Sequence, residues 1–173
     1  MLSKEKLTRN TIIKTLIDAL EPLDYVHAFY EGGAIAFNRL DKWSDIDLYL
    51  VVDDDKIDDA FVVVETALKS LSPIEQKYAV QQLPWPGVSQ AFYKLKGTSD
   101  YLLIDLAVLK LSAPEKFLEP RVHGEATFSF NKSGNVKAAT LDTDALAKTL
   151  DNRLARLKDR FDMFNIFVQK EIN

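Results

Sequence analysis

The spacing of apolar side chains divides the chain into segments with two different periods. In residues 4–20, Leu7, Ile12, Ile13, Leu16, Ile17 and Leu20 fall mostly at helical spacing and Pro22 follows as a stop, which predicts an amphipathic first helix. The segment "YVHAFYE" (25–31) predicts a strand that ends abruptly at Gly32-Gly33, and "DIDLYLVV" (45–52) predicts a second. Asp53 to Asp55 offer N-caps for a helix over "DDDKIDDAFVVVETALKSL" that stops before Ser72-Pro73. "IEQKYAVQQ" predicts a strand, "LPWPG" a loop, and "SQAFYKL", "KGTSD" and "YLLIDLAVLK" a strand, a turn and a strand. "ATFSF", "NKSG" and "NVKA" predict a small late hairpin.

From about residue 142 the period changes. Leu146, Leu150, Leu154, Leu157, Phe161, Phe164 and Val168 advance in steps of four and three, which predicts one helix, on the order of 40 Å long, with a narrow apolar stripe. The expectation is an α+β chain: a mixed β-sheet flanked by helices over residues 1–140, then a long C-terminal helix over 141–173. At roughly 25 Å the first helix is too short to cover the stripe along its length. An exposed stripe of this kind marks an interface, so residues 142–170 are expected to pack on a second copy as a homodimer or on a helical partner protein.

Composition narrows the classes of function. The chain has 173 residues, 47% hydrophobic and 28% charged, an ordinary globular balance. Its net charge of −4 supplies no broad basic surface and argues against a nucleic-acid partner. The absence of cysteine excludes disulfides, thiolate catalysis and cysteine-ligated metal centres. "MLSKEKLTRNTIIKTL" is charged and lacks the apolar core of a signal peptide, and no run approaches the length of a membrane span. A soluble, cytoplasmic protein is expected.

The candidate chemistry lies in "FYEGGAIAFNRLDKWSDIDLYLVV", residues 29–52. On a strand, Asp45 and Asp47 point to one side with Tyr49 and Val51, while Ile46, Leu48, Leu50 and Val52 face a core. Two carboxylates so close repel each other, and desolvation adds to the cost, unless a cation lies between them. A hard-oxygen site of this kind suits Mg²⁺ or Mn²⁺. Gly32 and Gly33 let backbone approach an anion, and a short helix in "AIAFNR" would aim N–H groups at it. Arg39 and Lys42 add positive charge for phosphate, and Ser44 either touches phosphate or caps the turn. Asp105, an isolated acid within "YLLIDLAVLK", is the candidate third carboxylate of a two-metal site, on a face with Tyr101, Leu103 and Ala107.

These residues resemble a known family. Gly-Gly, a short connection, Asp-apolar-Asp, and a later acid on a neighbouring strand are similar to the DNA polymerase beta-like nucleotidyltransferase superfamily. "EGGAIAFNRLDKWSDIDLYLVV" resembles in particular its aminoglycoside and lincosamide nucleotidyltransferase branch. The motif covers about 20 residues, and the order of elements extends the resemblance over roughly residues 1–110. It implies a mixed-sheet nucleotidyltransferase fold in which Asp45 and Asp47 bind both metals. Asp105 would bind one metal and accept the proton of the attacking hydroxyl, and Gly32, Gly33 and the next helix would hold the triphosphate. An NTP would serve as substrate, and a hydroxyl on a small molecule or protein would receive the NMP. Members of the family often carry Ser after the first Gly, where this chain has Gly33, and an Ala-Arg-Gly that is absent here, with Ala36-Phe37 instead.

Each residue also has a plainer reading. Asp105 fits an edge-strand acid paired with Lys or Arg, and Glu31 a loop-facing charge. Arg39 and Lys42 fit a solvated surface. Trp43 fits a packing anchor as well as an aromatic against which a base stacks. His123, in "RVHG", fits a structural histidine. Asp53 to Asp55 fit a helix N-terminus. At the level of the whole protein, the alternatives to an enzyme are an antitoxin-type nucleotidyltransferase-like protein that binds or modifies a helical toxin, and a degenerate fold that binds nucleotide without chemistry.

Overall fold

A computed structural model of the chain describes residues 7–138 and 142–172. The chain separates into two compact units, Met1–Ala139 and Thr140–Asn173. Residues 4–6 of the expected first helix, and the expected boundary at 140–141 with its next residue at 141, touch positions outside the described residues.

The first unit is a six-stranded sheet with helices. Helix α1 (Arg9–Leu20) starts at Thr8, whose hydroxyl accepts from the Thr11 amide at 3.3 Å. Strand β1 (Val26–Glu31) follows, then a single 3₁₀ turn (Ile35–Phe37), then β2 (Ile46–Val52). Helix α2 (Ile57–Leu71) leads through Ser72-Pro73 into β3 (Ile74–Ala79), β4 (Val88–Leu95) and β5 (Ile104–Lys110). A short helix α3 (Pro120–His123) and β6 (Thr127–Asn131) complete the unit.

The strand order is β3-β4-β5-β2-β1-β6. Only β2 and β5 run parallel, and their register sets Asp47 beside Asp105. The period-two alternation works as expected on both strands. Ile46, Leu48, Leu50 and Val52 join Ile104, Leu106 and Val108 in a core against Ile12, Leu16 and Leu20 of α1 and Ala60, Val64 and Leu68 of α2. Tyr30, Val51, Ala107 and Leu109 form a smaller cluster on the other face, capped by Leu118 and Val136, with Tyr49 and Phe117 packed on it. Each Val, Leu or Ile side chain sealed away this way contributes about 1.5–3 kcal/mol relative to exposure.

Four expectations are corrected. The residues Asp53 to Asp55 do not cap α2; its N-cap is Lys56, with no side-chain cap, and its first-turn acids are Asp58 and Asp59. "NVKA" forms no second hairpin arm, because β6 pairs with β1 instead. Asp105 is not on an edge strand: β5 lies between β4 and β2. Its strand also starts at Ile104, so Tyr101 and Leu103 precede it rather than share its face.

The second unit is one helix, α4 (Thr143–Ile172), bearing the Leu150, Leu154, Leu157, Phe161, Phe164 and Val168 stripe. Among the described residues no helix is long and apolar enough to cross a membrane.

Candidate functional site

Two parallel neighbours begin at the same end of the sheet, so their first residues assemble there. Ile46 donates its amide to the Leu103 carbonyl at 2.8 Å, which locks the leading ends of β2 and β5 together. Asp45 immediately precedes β2, Asp47 is its second residue, and Asp105 is the second residue of β5. Neighbouring strands lie about 4.8 Å apart, so the Asp47 and Asp105 side chains leave the same face side by side.

Their electrostatics follow from that crowding. Burial, then the charges of Asp45 and Asp105, push the Asp47 carboxyl up to about 6, against a smaller opposing pull from Arg9. Burial likewise pushes Asp105 up; a hydrogen bond from Gln90 opposes this, and the Asp45 charge adds to it. Among the described residues none of Asp45, Asp47 and Asp105 forms a salt bridge. Half-buried acids crowded together without a salt bridge are what a cation site looks like before its cation is counted.

Two supporting residues were not visible in the sequence. Arg9 opens α1 and reaches the leading end of the sheet, where it donates to the Asp45 carbonyl at 2.5 Å and to Glu31 Oε2 at 2.7 Å. Glu31 is therefore no loop-facing charge: its side chain is 8% exposed and serves Arg9. Gln90 on β4 donates Nε2–H to Asp105 Oδ1 at 2.7 Å, which fixes that carboxylate and leaves Oδ2 for another partner. Both depend on tertiary register. No local signal singled out Gln90, since β4 also carries Ser89 and Lys94.

The Gly32-Gly33 turn lies directly on the acids. The Gly32 amide donates to the Asp47 carbonyl at 3.0 Å. Gly33 has φ +63°, and a Cβ placed on it would stand 1.7 Å from Asp47 Oδ2. A serine there, as in the family pattern, would require Asp47 to move. The expected short helix after the glycines is the single 3₁₀ turn at Ile35–Phe37, closed by Asn38 in the left-handed region. With so few N–H groups in line, any backbone contact to phosphate belongs to the glycine turn itself.

The remaining candidates divide. Ser44 caps its turn: its hydroxyl donates to Asp41 Oδ1 at 2.8 Å and accepts from the Asp41 amide at 3.0 Å. Arg39 lies over the Phe37 ring at 4.7 Å and Lys42 over the Trp43 ring at 4.5 Å, so both cations rest on aromatics near the site rather than on carboxylates. Trp43 meets Tyr101 edge to face at 4.3 Å. His123 packs its ring edge to face against Phe117. Asp53 binds His27 Nε2 at 2.7 Å and Asp54 accepts from the Ser112 amide at 3.0 Å, both at the other end of the sheet.

The donor set fits a hard divalent cation: carboxylate oxygens only, with a deficit of positive charge. Among the described residues no three His, Cys, Asp or Glu side chains are already gathered closely enough to coordinate one ion. The cavity bounded by Asp47, Tyr49, Gln90 and Asp105 holds about 20 Å³, room for about one water-sized particle. Holding one ion on all three acids therefore requires their carboxylates to draw together.

No protein-family model matches this chain, and no curated protein matches it.

Proposed function

We propose that this protein is a nucleotidyltransferase of the DNA polymerase beta-like type, moving an NMP from an NTP to a hydroxyl group and releasing pyrophosphate. One observation carries the reading. Asp47 and Asp105 stand side by side at the leading ends of two adjacent parallel strands, next to Asp45 and without a salt bridge among the described residues, and the Gly33 backbone comes so close to Asp47 that a Cβ there would strike its carboxylate. A fold gains nothing from such an arrangement until a cation and its anionic ligand enter it.

Asp45, Asp47 and Asp105 would hold Mg²⁺ or Mn²⁺. When bound, the metal supplies positive charge against the triphosphate and the departing pyrophosphate. This chain's residues do the rest. The Gly32-Gly33 backbone accommodates the phosphates, and Arg39 and Lys42 swing from their aromatic rests to meet them. Gln90 holds Asp105 by one oxygen, so that the other accepts the acceptor hydroxyl's proton. The hydroxyl oxygen then bonds to the α-phosphorus, the bond to the bridging oxygen breaks, and pyrophosphate leaves with that electron pair.

The test is calorimetric titration with each of the four NTPs, with and without Mg²⁺, followed by an assay of pyrophosphate release over a panel of hydroxyl acceptors. Mg²⁺ is expected to strengthen NTP binding at least tenfold in the wild type and not in Asp47→Asn. Equal affinity with and without Mg²⁺ contradicts the proposal.

A further inference from the structure

Two large aromatic side chains beside the acids stay in water. Trp43 is 52% exposed and Tyr101 is 56% exposed. Each stands in the loop that leads into one of the acid-bearing strands, Trp43 just before Asp45 and Tyr101 just before Ile104 and Asp105. The rings meet at 87° with centroids 4.3 Å apart. Exposed rings gain little from folding, since most of their apolar surface is not removed from water. These two are nevertheless held in place. Asp41 accepts from the Trp43 amide at 2.9 Å and from the Ser44 hydroxyl, which fixes the turn that presents Trp43. Leu102 donates to the Ser99 carbonyl at 3.0 Å and Ile46 to the Leu103 carbonyl at 2.8 Å, which fixes the loop that presents Tyr101. Lys42 Nζ sits 4.5 Å over the Trp43 ring.

We propose that Trp43 and Tyr101 form a stacking platform for the base of a nucleotide whose phosphates point toward Asp45, Asp47 and Asp105. Stacking on an aromatic face tolerates any base, because every base has a π-face. The lysine makes the platform responsive to the whole nucleotide. An ammonium over an indole face is weakly held compared with one on a phosphate. Lys42 therefore leaves the ring as the phosphates arrive, and the base takes the face it vacates. The proposal rests on the nucleotidyltransferase reading only in taking the ligand to be a nucleotide; it requires neither metal nor chemistry.

The experiment uses the full chain carrying Trp85→Phe, so that Trp43 is the sole tryptophan. Its emission is followed while ATP, GTP, CTP and UTP are added in turn, with Mg²⁺ and then with EDTA, and the NTPs and Mg²⁺-tripolyphosphate are titrated into every variant by calorimetry. At least one NTP is expected to give a saturable change in emission. Trp43→Ala should then raise the dissociation constant of that NTP about tenfold or more while leaving that of tripolyphosphate within twofold. Trp43→Phe, which keeps a ring, should recover most of the loss, and thermal melts of both variants separate this from misfolding. No saturable change with any NTP, or Trp43→Ala binding as tightly as wild type, overturns the platform. Tripolyphosphate binding with no response to any base would sink the platform and leave the nucleotidyl-transfer reading standing. A base response indifferent to Mg²⁺ would sustain the platform and sink that reading.

Discussion

The parallel pair β2 and β5 carries acids at both of its ends, and the two ends treat them in opposite ways. At the trailing end Asp53 meets His27 at 2.7 Å, and Asp54 takes the Ser112 hydroxyl and amide, which hold its carboxyl below the usual range. At the leading end burial and the charges of Asp45 and Asp105 push the Asp47 carboxyl up to about 6, against a smaller pull from Arg9. The same residue type, just past one end of β2 and near its other end, thus serves the fold where it is paired and strains it where like charges crowd it. An acid that strains the fold is the better candidate for chemistry.

The sharpest way to break that contrast is to neutralise an acid at each end. If the leading end is catalytic, Asp47→Asn and Asp105→Asn should each lower pyrophosphate release by roughly a thousandfold, since charge stabilisation by a held metal contributes several kcal/mol. Asp54→Asn should change it less than about threefold, because its partner is structural. Equal losses at both ends would erase the distinction.

A second comparison sets two left-handed glycines against each other. Gly33 and Gly134 both have φ +63°, but a Cβ at Gly33 would strike Asp47 Oδ2 at 1.7 Å while one at Gly134 meets nothing within 4 Å. Gly134→Ala should cost only the backbone strain, about 1 kcal/mol. Gly33→Ala should cost about 2–3 kcal/mol, strain plus displacement of the carboxylate. Urea denaturation measures both, and equal losses would mean that the turn does not press on Asp47.

The smallest effect is a pH dependence with opposite signs at the two ends. Asp47 has its carboxyl raised from 3.8 to about 6, so the folded protein binds more protons than the unfolded chain between those values. Metal-free stability should therefore fall as pH rises from about 4 to 6. Asp47→Asn should flatten that fall and, with solvent screening of this part-exposed carboxyl discounted, be more stable at pH 7 by under about 1 kcal/mol. Asp54 is lowered, so its contribution is present above its unfolded value and fades on acidification, and Asp54→Asn should be less stable than wild type at neutral pH. Denaturation midpoints measured from pH 4 to 8 check both signs.

Much of this was legible in the sequence, and what was not has a common cause. The alternation in "DIDLYLVV" put Asp45 and Asp47 on one face and their apolar neighbours in the core, because strand period is a local property. The pairing of Asp47 with Asp105 followed once two strands with acids near their starts lay parallel. Arg9 and Gln90 were missed because their roles come from α1 and β4 reaching the site through register, which no local pattern encodes. Asp53 misled for a related reason: its amide bonds the carbonyl of Tyr25, just before β1, and its carboxylate bonds His27, so tertiary bonds claimed it before a helix could. "NVKA" read as a hairpin arm because the turn signal was local, whereas the strand before it found β1.

The most direct measurement is a crystal of the protein with Mn²⁺ and a non-hydrolysable NTP analogue, examined by anomalous diffraction at the manganese edge. The account predicts an anomalous peak bounded by Asp45, Asp47 and Asp105 at coordination distances of roughly 2.0–2.3 Å, with the triphosphate beside the Gly32-Gly33 turn. A nucleotide bound with no metal between these carboxylates, or a metal bound elsewhere, would contradict it.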